Sequence, residues 1–240
     1  MTPLVLVHGF MGGSAQWHGY LDAIERQRDL ILVDLPGFGA NAHIPPINSI
    51  GGYADWVIHH LRDLGVDRYH LLGHSMGGMI VQEIVLRDSK RVDRLVLYAT
   101  GAIGVLPGRF ETIEESKRRA AQDGSVATAR RISATWFLER ENAEGYENCA
   151  TVAMQAKLAA IYAGLDAMQS WSGEENLGEI AQETLILWGD HDRTYPWGQI
   201  QKLWDAIPDA SLGVVPGCSH AVHAEKSELF QFLVADFLDR

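Results

Sequence analysis

The chain has 240 residues, 47% of them hydrophobic, and a formal net charge of −11 at pH 7. That length suits one α/β domain with an insertion, or at most two small domains, and is enough to bury a sizeable core. The acidic balance argues against nucleic acid or an anionic membrane surface as partner, and no apolar stretch reaches the length needed to span a bilayer.

The amino terminus carries no basic segment and runs straight into a strand, Leu4–Val7, so a cytoplasmic protein is expected. The two cysteines, Cys149 and Cys218, are far apart and form no Cys-x-x-Cys pair, as expected of free thiols in a reducing compartment. A helix is predicted over Ala15–Arg26 and a strand over Leu30–Asp34, followed by the Pro/Gly-rich loop Leu35-Pro36-Gly37-Phe38-Gly39. A helix over Ile50–Leu64, a strand over Tyr69–Leu72, a helix from Gly78 to Leu86 and a strand over Leu95–Ala99 come next. Strands alternating with helices across short loops indicate βαβ units and a mainly parallel sheet. From Gly101 to about Gly178 the pattern changes to helices alone, Thr112–Gln122, Ser125–Leu138 and Cys149–Gln169, broken at Gly124, Gly145 and Gly173. Alternation returns with a strand at Thr184–Trp188, a helix at Trp197–Ala206, a strand at Ser211–Val215 and a terminal helix from about Glu225 to Leu238.

One junction stands out chemically. Gly73-His74-Ser75-Met76-Gly77 lies between the apolar Tyr69–Leu72 strand and the helix after it, with glycine two residues from the serine on each side. This is the nucleophile-elbow pattern: a tight strand-to-helix turn lifts the hydroxyl clear of the backbone, and the helix amino terminus aims peptide N–H groups at the same space. Serine needs a base, and the base needs an orienting acid. Two later loops, each following a strand, supply candidates: Gly189-Asp190-His191-Asp192, then Pro216-Gly217-Cys218-Ser219-His220, with His223 three residues on. Loops at the carboxyl ends of parallel strands converge, and the order Ser, Asp, His is the one this elbow architecture uses.

Five blocks together resemble the α/β-hydrolase fold superfamily: Val7-His8-Gly9-Phe10, Asp34 to Gly39, Gly73 to Gly78, Trp188 to Asp192, and Gly217 to His220. The resemblance implies a mainly parallel sheet of about six strands flanked by helices, with residues 1–100 and 179–240 as the core and 101–178 as a helical cap. The sheet is expected to be short because there is almost no room for a hairpin before Leu4. It implies Ser75 as nucleophile, His220 as general base and Asp192, three residues after Gly189, as the acid, with Asp190 its rival. The oxyanion hole would be the backbone N–H groups of Phe10 and Met76. His8 would brace the oxyanion loop, His74 would pack, and His223 would begin the last helix and line the cleft or face solvent.

Within that superfamily, serine at the elbow points away from dehalogenases and epoxide hydrolases, which place aspartate there, and from dienelactone hydrolases, which use cysteine. The first expectation is a serine hydrolase that cleaves a small carboxylic ester or lactone. The enol-lactone hydrolases look similar in length and in the Trp136-Phe137 pair after a basic helix. Carbon–carbon hydrolases of meta-cleavage dienoates resemble the chain in triad order and cap, although they usually carry a Gly-Pro-Gly-type loop where Phe10 to Ser14 stands. A menaquinone-pathway lyase looks alike in its Asp34-Leu35-Pro36-Gly37 loop but commonly has tyrosine where His74 stands, and a ligand-binding receptor on the same fold is the non-enzymatic alternative. Trp17, Trp136, Phe137, His223, Met79 and Met168 are candidates for the substrate pocket. Arg109, Arg118, Arg119, Arg130, Arg131 and Arg140 could meet an anionic substrate, but neighbouring glutamates favour solvent-side pairing and leave at most one or two for the cleft. No cofactor fingerprint is present, and His59-His60 lacks a carboxylate at ligand spacing, so no metal is expected.

Overall fold

Each strand core reads as a near-continuous apolar run because helices cover both faces of the sheet. The computed structural model describes residues 1–106 and 111–240. Six strands, β1 (Leu4–Val7), β2 (Leu30–Val33), β3 (Tyr69–His74), β4 (Val92–Tyr98), β5 (Glu183–Gly189) and β6 (Ala210–Val215), form one sheet in the order β2-β1-β3-β4-β5-β6. Every pairing is parallel, so all carboxyl ends share one edge. Alternate side chains leave the strands on opposite faces. Val5, Val7, Leu71, Leu95, Leu97 and Ile186 pack toward α2 (Ile50–Asp63) and α3 (Met76–Arg87). Leu4, Leu6, Leu72, Val96, Tyr98 and Leu187 pack on the other face with Ile24 of α1 (Asp22–Glu25) and Phe230, Val234 and Phe237 from the carboxyl-terminal helix.

Between β4 and β5 the chain leaves the sheet. α4 (Ile113–Ala134) opens on a cap in which the Thr112 hydroxyl accepts the Glu115 N–H at 3.1 Å, and it is broken at Gly124, whose φ of 80° and ψ of 170° are non-helical. α5 (Tyr146–Ala153) and α6 (Leu158–Gln169) pack against it. The rest of the sheet layer is completed by α7 (Trp197–Ala206), the short α8 (Val222–Glu225) and α9 (Ser227–Leu238). Among the described residues no helix is long and apolar enough to cross a membrane.

The six-stranded parallel sheet agrees with the sequence reading, and two helices are split relative to it. The helix expected over Ala15–Arg26 is a 3₁₀ turn at Ser14–Trp17 and the four-residue α1, separated where Gly19 takes φ 81°. The single helix expected over Cys149–Gln169 is α5 and α6, parted where Lys157 is extended; no glycine or proline marks the break, which follows the burial of Ala153, Ala156 and Ala160. The terminal helix expected from about Glu225 is α9, starting at Ser227, and the short α8 precedes it, set off where Lys226 takes φ −142°.

The amino-terminal turn of α3 crosses the end of β1 at very short range. A Cβ on Gly77 would lie 2.3 Å from the Val7 carbonyl oxygen, and one on Gly73 would lie 2.4 Å from the Gly77 oxygen. Backbone cannot yield there as a flexible side chain could. Gly77→Ala is expected to destabilise the fold by about 3 kcal/mol, the upper part of the overpacking range, read as a lower urea midpoint with unchanged slope.

Candidate active site

Ser75 sits between β3 and α3 with φ 57° and ψ −120°, a conformation that costs a non-glycine residue on the order of 1–3 kcal/mol. Three hydrogen bonds hold it. Its N–H donates to the Tyr98 carbonyl at 3.0 Å, and its own carbonyl accepts the Thr100 hydroxyl at 2.7 Å and the Gly78 N–H at 2.8 Å. The adjoining loop from β1 turns tightly at Gly9-Phe10-Met11-Gly12, closed by Gly12 N–H donating to the Gly9 carbonyl at 3.0 Å, with Met11 at φ 59°. A Cβ on Gly9 would lie 2.8 Å from the Ser75 Cβ and 3.4 Å from its Oγ, so this loop passes directly against the hydroxyl. The turn bond uses the Gly12 amide rather than that of Phe10, and Met76, as first residue of α3, has no acceptor within the helix for its N–H.

His8 braces this loop from beneath. Its Nε2 accepts the Leu35 N–H at 3.0 Å, so the proton lies on Nδ1, which donates to the Gly9 carbonyl at 2.8 Å. Asp34 holds the far side, accepting the Ser14 N–H at 2.8 Å and the Ser14 hydroxyl at 2.7 Å.

The loop after β5 separates its two aspartates. Asp192, with a side chain wholly buried, accepts His220 Nδ1–H at 2.9 Å on Oδ2, while its Oδ1 accepts the N–H groups of Thr194 at 2.7 Å and Tyr195 at 3.2 Å. Asp190 turns away and accepts the Gly217 N–H at 2.7 Å. With its Nδ1 proton engaged, His220 keeps Nε2 free as an acceptor. The His220 ring lies between those of Tyr195, stacked at 5.7 Å, and His74 at 4.7 Å. Its main-chain carbonyl accepts the Tyr98 hydroxyl at 3.1 Å and His74 Nε2–H at 3.2 Å.

Ser75 and His220 line one cavity of about 60 Å³. Phe10 closes one side; Ile132, Thr135, Trp136 and Met168 from the insertion close the top. Of the pocket candidates, Trp136 and Met168 are therefore on the wall, and four others are not. Met79 is fully buried in the core beneath α3. Trp17, 1% exposed, is packed on the opposite face of the sheet against Phe230 and His223. His223, also 1% exposed, bonds the Tyr98 hydroxyl through Nδ1 at 2.9 Å, so it neither lines the cleft nor faces solvent. Phe137 is fully buried in a separate cluster with Tyr146 and Cys149, against which Trp136 also packs.

The arginines of the insertion are engaged elsewhere: Arg118 pairs with Glu115, Arg130 with Glu147, and Arg119 and Arg131 with Glu111. Arg140 does not reach the cavity, and Arg109 lies outside the described residues. Among the described residues the cation on the cavity wall is Arg193, which the sequence reading passed over. Its signal was its position immediately after Asp192, at the carboxyl end of a strand. Its side chain reaches the Phe137 carbonyl at 3.4 Å and has no acidic partner among the described residues.

The profile of the alpha/beta hydrolase fold family matches residues 2–227. A 2-hydroxy-6-oxo-2,4-heptadienoate hydrolase of Pseudomonas putida is 32% identical, over 99% of this chain and 89% of the relative. A 2-hydroxy-6-oxo-6-phenylhexa-2,4-dienoate hydrolase of Burkholderia cepacia is 27% identical, over 98% and 87%. The solved enol-lactonase of Burkholderia xenovorans superposes with a TM-score of 0.87 at 22% identity, over 100% of this chain and 92% of the other, a likeness of fold. The chain belongs to the alpha/beta hydrolase fold family, and it is a hydrolase.

Burial holds three histidines of this region neutral. His8 is lowered from 6.5 to about 4 and His223 to about 3, both chiefly by desolvation, and His74 lies well below 6.5 through desolvation and the neighbouring His220 and His223. In the unfolded chain each takes a proton near 6.5, so below that pH the unfolded state binds more protons and stability falls. The loss is up to about 1.4 kcal/mol per pH unit for each histidine. Urea midpoints measured between pH 7 and 5.5, above the carboxylate range, are expected to fall steadily, and His8→Asn is expected to show a shallower fall than wild type.

Proposed function

We propose that this protein is a serine hydrolase that cleaves a small carboxylic ester or lactone through an acyl-enzyme on Ser75. The observation that carries this reading is the Asp192–His220 hydrogen bond standing behind a cavity shared by His220 and the strained Ser75. In it, His220 Nε2 takes the Ser75 proton as Oγ adds to the substrate carbonyl. The N–H groups of Phe10 and Met76 hold the oxyanion, which needs donors already in place. The imidazolium, stabilised by Asp192, then gives its proton to the leaving alkoxide as the acyl carbon–oxygen bond breaks. A water, deprotonated by His220, adds to the acyl carbon and releases Ser75 and the acid. Residues 101–178 act as a cap over residues 1–100 and 179–240. The cavity is small, about 60 Å³, and Ile132, Thr135, Trp136 and Met168 of the cap close it.

A second reading, hydrolysis of a carbon–carbon bond in a dienoate, is favoured by the names of the relatives and by Arg193, a cation available to a substrate carboxylate. Both readings use the same nucleophile and base.

Two measurements test these readings. Ser75→Ala is expected to lower kcat/KM for p-nitrophenyl acetate and butyrate at least about 1000-fold, as deletions of a nucleophile do elsewhere; equal rates in mutant and wild type would end the ester reading. The ratio of kcat/KM for monoethyl succinate to that for ethyl butyrate reads the contribution of Arg193. In Arg193→Met the ratio is expected to fall about tenfold or more, the ~1.5 kcal/mol of a hydrogen bond to a charged group; an unchanged ratio would remove the carboxylate from the reading.

A further inference from the structure

Glu225 is a half-buried carboxylate whose two oxygens serve two different parts of the molecule. Oε1 accepts the N–H of Leu138, in the insertion, at 2.7 Å. Oε2 accepts the N–H of Ser219, the residue before His220, at 2.6 Å. The residue after His220 is tied to the same stretch of the insertion, since Ala221 N–H donates to the Trp136 carbonyl at 3.0 Å. His220 is thus flanked on both sides by hydrogen bonds that lead to residues 136–138, and the side chain of Trp136 forms part of the cavity wall. The neighbouring loop joins in through Arg193, which donates to the Phe137 carbonyl.

From this geometry we infer that Glu225 is a positioning residue that couples the seating of the insertion over the cavity to the placement of the His220 imidazole. The inference rests on the reading of His220 as base and Ser75 as nucleophile. An ionised carboxylate is an acceptor at both oxygens, and that is what two converging N–H groups require. A glutamine offers one oxygen and one NH₂, so one of the two amides would face a donor, and either the insertion or the histidine loop would come away. Aspartate is shorter by one methylene and cannot reach both. With the insertion seated, Ser219 and Ala221 are fixed and Nδ1 of His220 meets Asp192. With it displaced, the Ala221–Trp136 and Leu138–Glu225 bonds are lost, and Glu225, no longer anchored at Oε1, holds the Ser219 N–H from a side chain free to shift, while the His220 carbonyl keeps its bonds with Tyr98 and His74.

The test compares wild type, Ser75→Ala, Glu225→Gln and Glu225→Ala with p-nitrophenyl butyrate. It also follows the low-field proton NMR resonance of His220 Nδ1–H bonded to Asp192. Glu225→Gln is expected to lower kcat on the order of 100-fold with KM little moved, the scale of a displaced catalytic group, and to broaden the low-field resonance while thermal unfolding stays cooperative. Added formate, a free carboxylate small enough for the space left, is expected to restore kcat and the resonance in Glu225→Ala and to do nothing for Glu225→Gln or Ser75→Ala. Wild-type kcat and resonance in both Glu225 variants, with Ser75→Ala inactive, would overturn the coupling and leave the serine reading standing. Loss of cooperative unfolding in both variants, unrelieved by formate, would make Glu225 a determinant of folding alone and also overturn it. Equal activity in Ser75→Ala and wild type would sink the serine reading itself.

Discussion

The close crossing of α3 over the end of β1 is the constraint on which the rest of the site depends. Residue 77 has no room for a methyl group against the Val7 carbonyl, and the next residue along β1 begins the loop that passes against Ser75. Two backbone segments far apart in sequence are thereby held at a separation that side chains would prevent. The serine is forced to φ 57° by the same crowding, and its own amide and carbonyl are tied to Tyr98, Thr100 and Gly78. A strained conformation persists only when its surroundings over-determine it. Here they do, since the bonds that hold the serine come from β4, the segment after it and α3.

The polar groups around this crossing are ordered by burial. His8 and His74 each have one nitrogen that must accept and one that must donate, so each is locked as a single neutral tautomer. A protonated ring at either place would turn a donor against a donor. Neutrality comes from desolvation and lets the two rings act as fixed spacers, one under the Gly9 loop and one under the His220 loop.

Much of this was legible in the sequence, and the remainder has identifiable causes. The strands were readable because both faces of the sheet are covered, so Leu4–Val7 and Tyr69–Leu72 carry continuous apolar runs. The elbow was readable because only glycine tolerates the crossing. The split between α5 and α6 was not, since Met154 to Lys157 contains no breaker and turns because of packing. Trp17 and His223 were misplaced for a related reason: a large ring near the active-site motifs in sequence can leave the strand end on either face, and tertiary contacts with Phe230 decide which. Asp190 and Asp192 differ by two residues, yet only the second turns inward, because the N–H groups of Thr194 and Tyr195 converge on it. Arg193 stands alone in sequence beside an aspartate, whereas the clustered basic residues of the insertion stand out, although Arg118, Arg119, Arg130 and Arg131 are matched with glutamates.

Tyr98 touches both Ser75 and His220: its carbonyl accepts the Ser75 amide, and its hydroxyl donates to the His220 carbonyl. The span of one tyrosine at the end of β4 therefore gauges the separation of the two. The ties from the insertion to the histidine loop reach main-chain atoms of residues 136–138, so they read the path of the backbone and are indifferent to which side chains it carries. The wall formed by Ile132, Thr135, Trp136 and Met168 is free to drift in sequence while the gauge beneath it stays fixed. A scaffold built this way can exchange one clientele of substrates for another by a handful of substitutions, without recalibrating its chemistry.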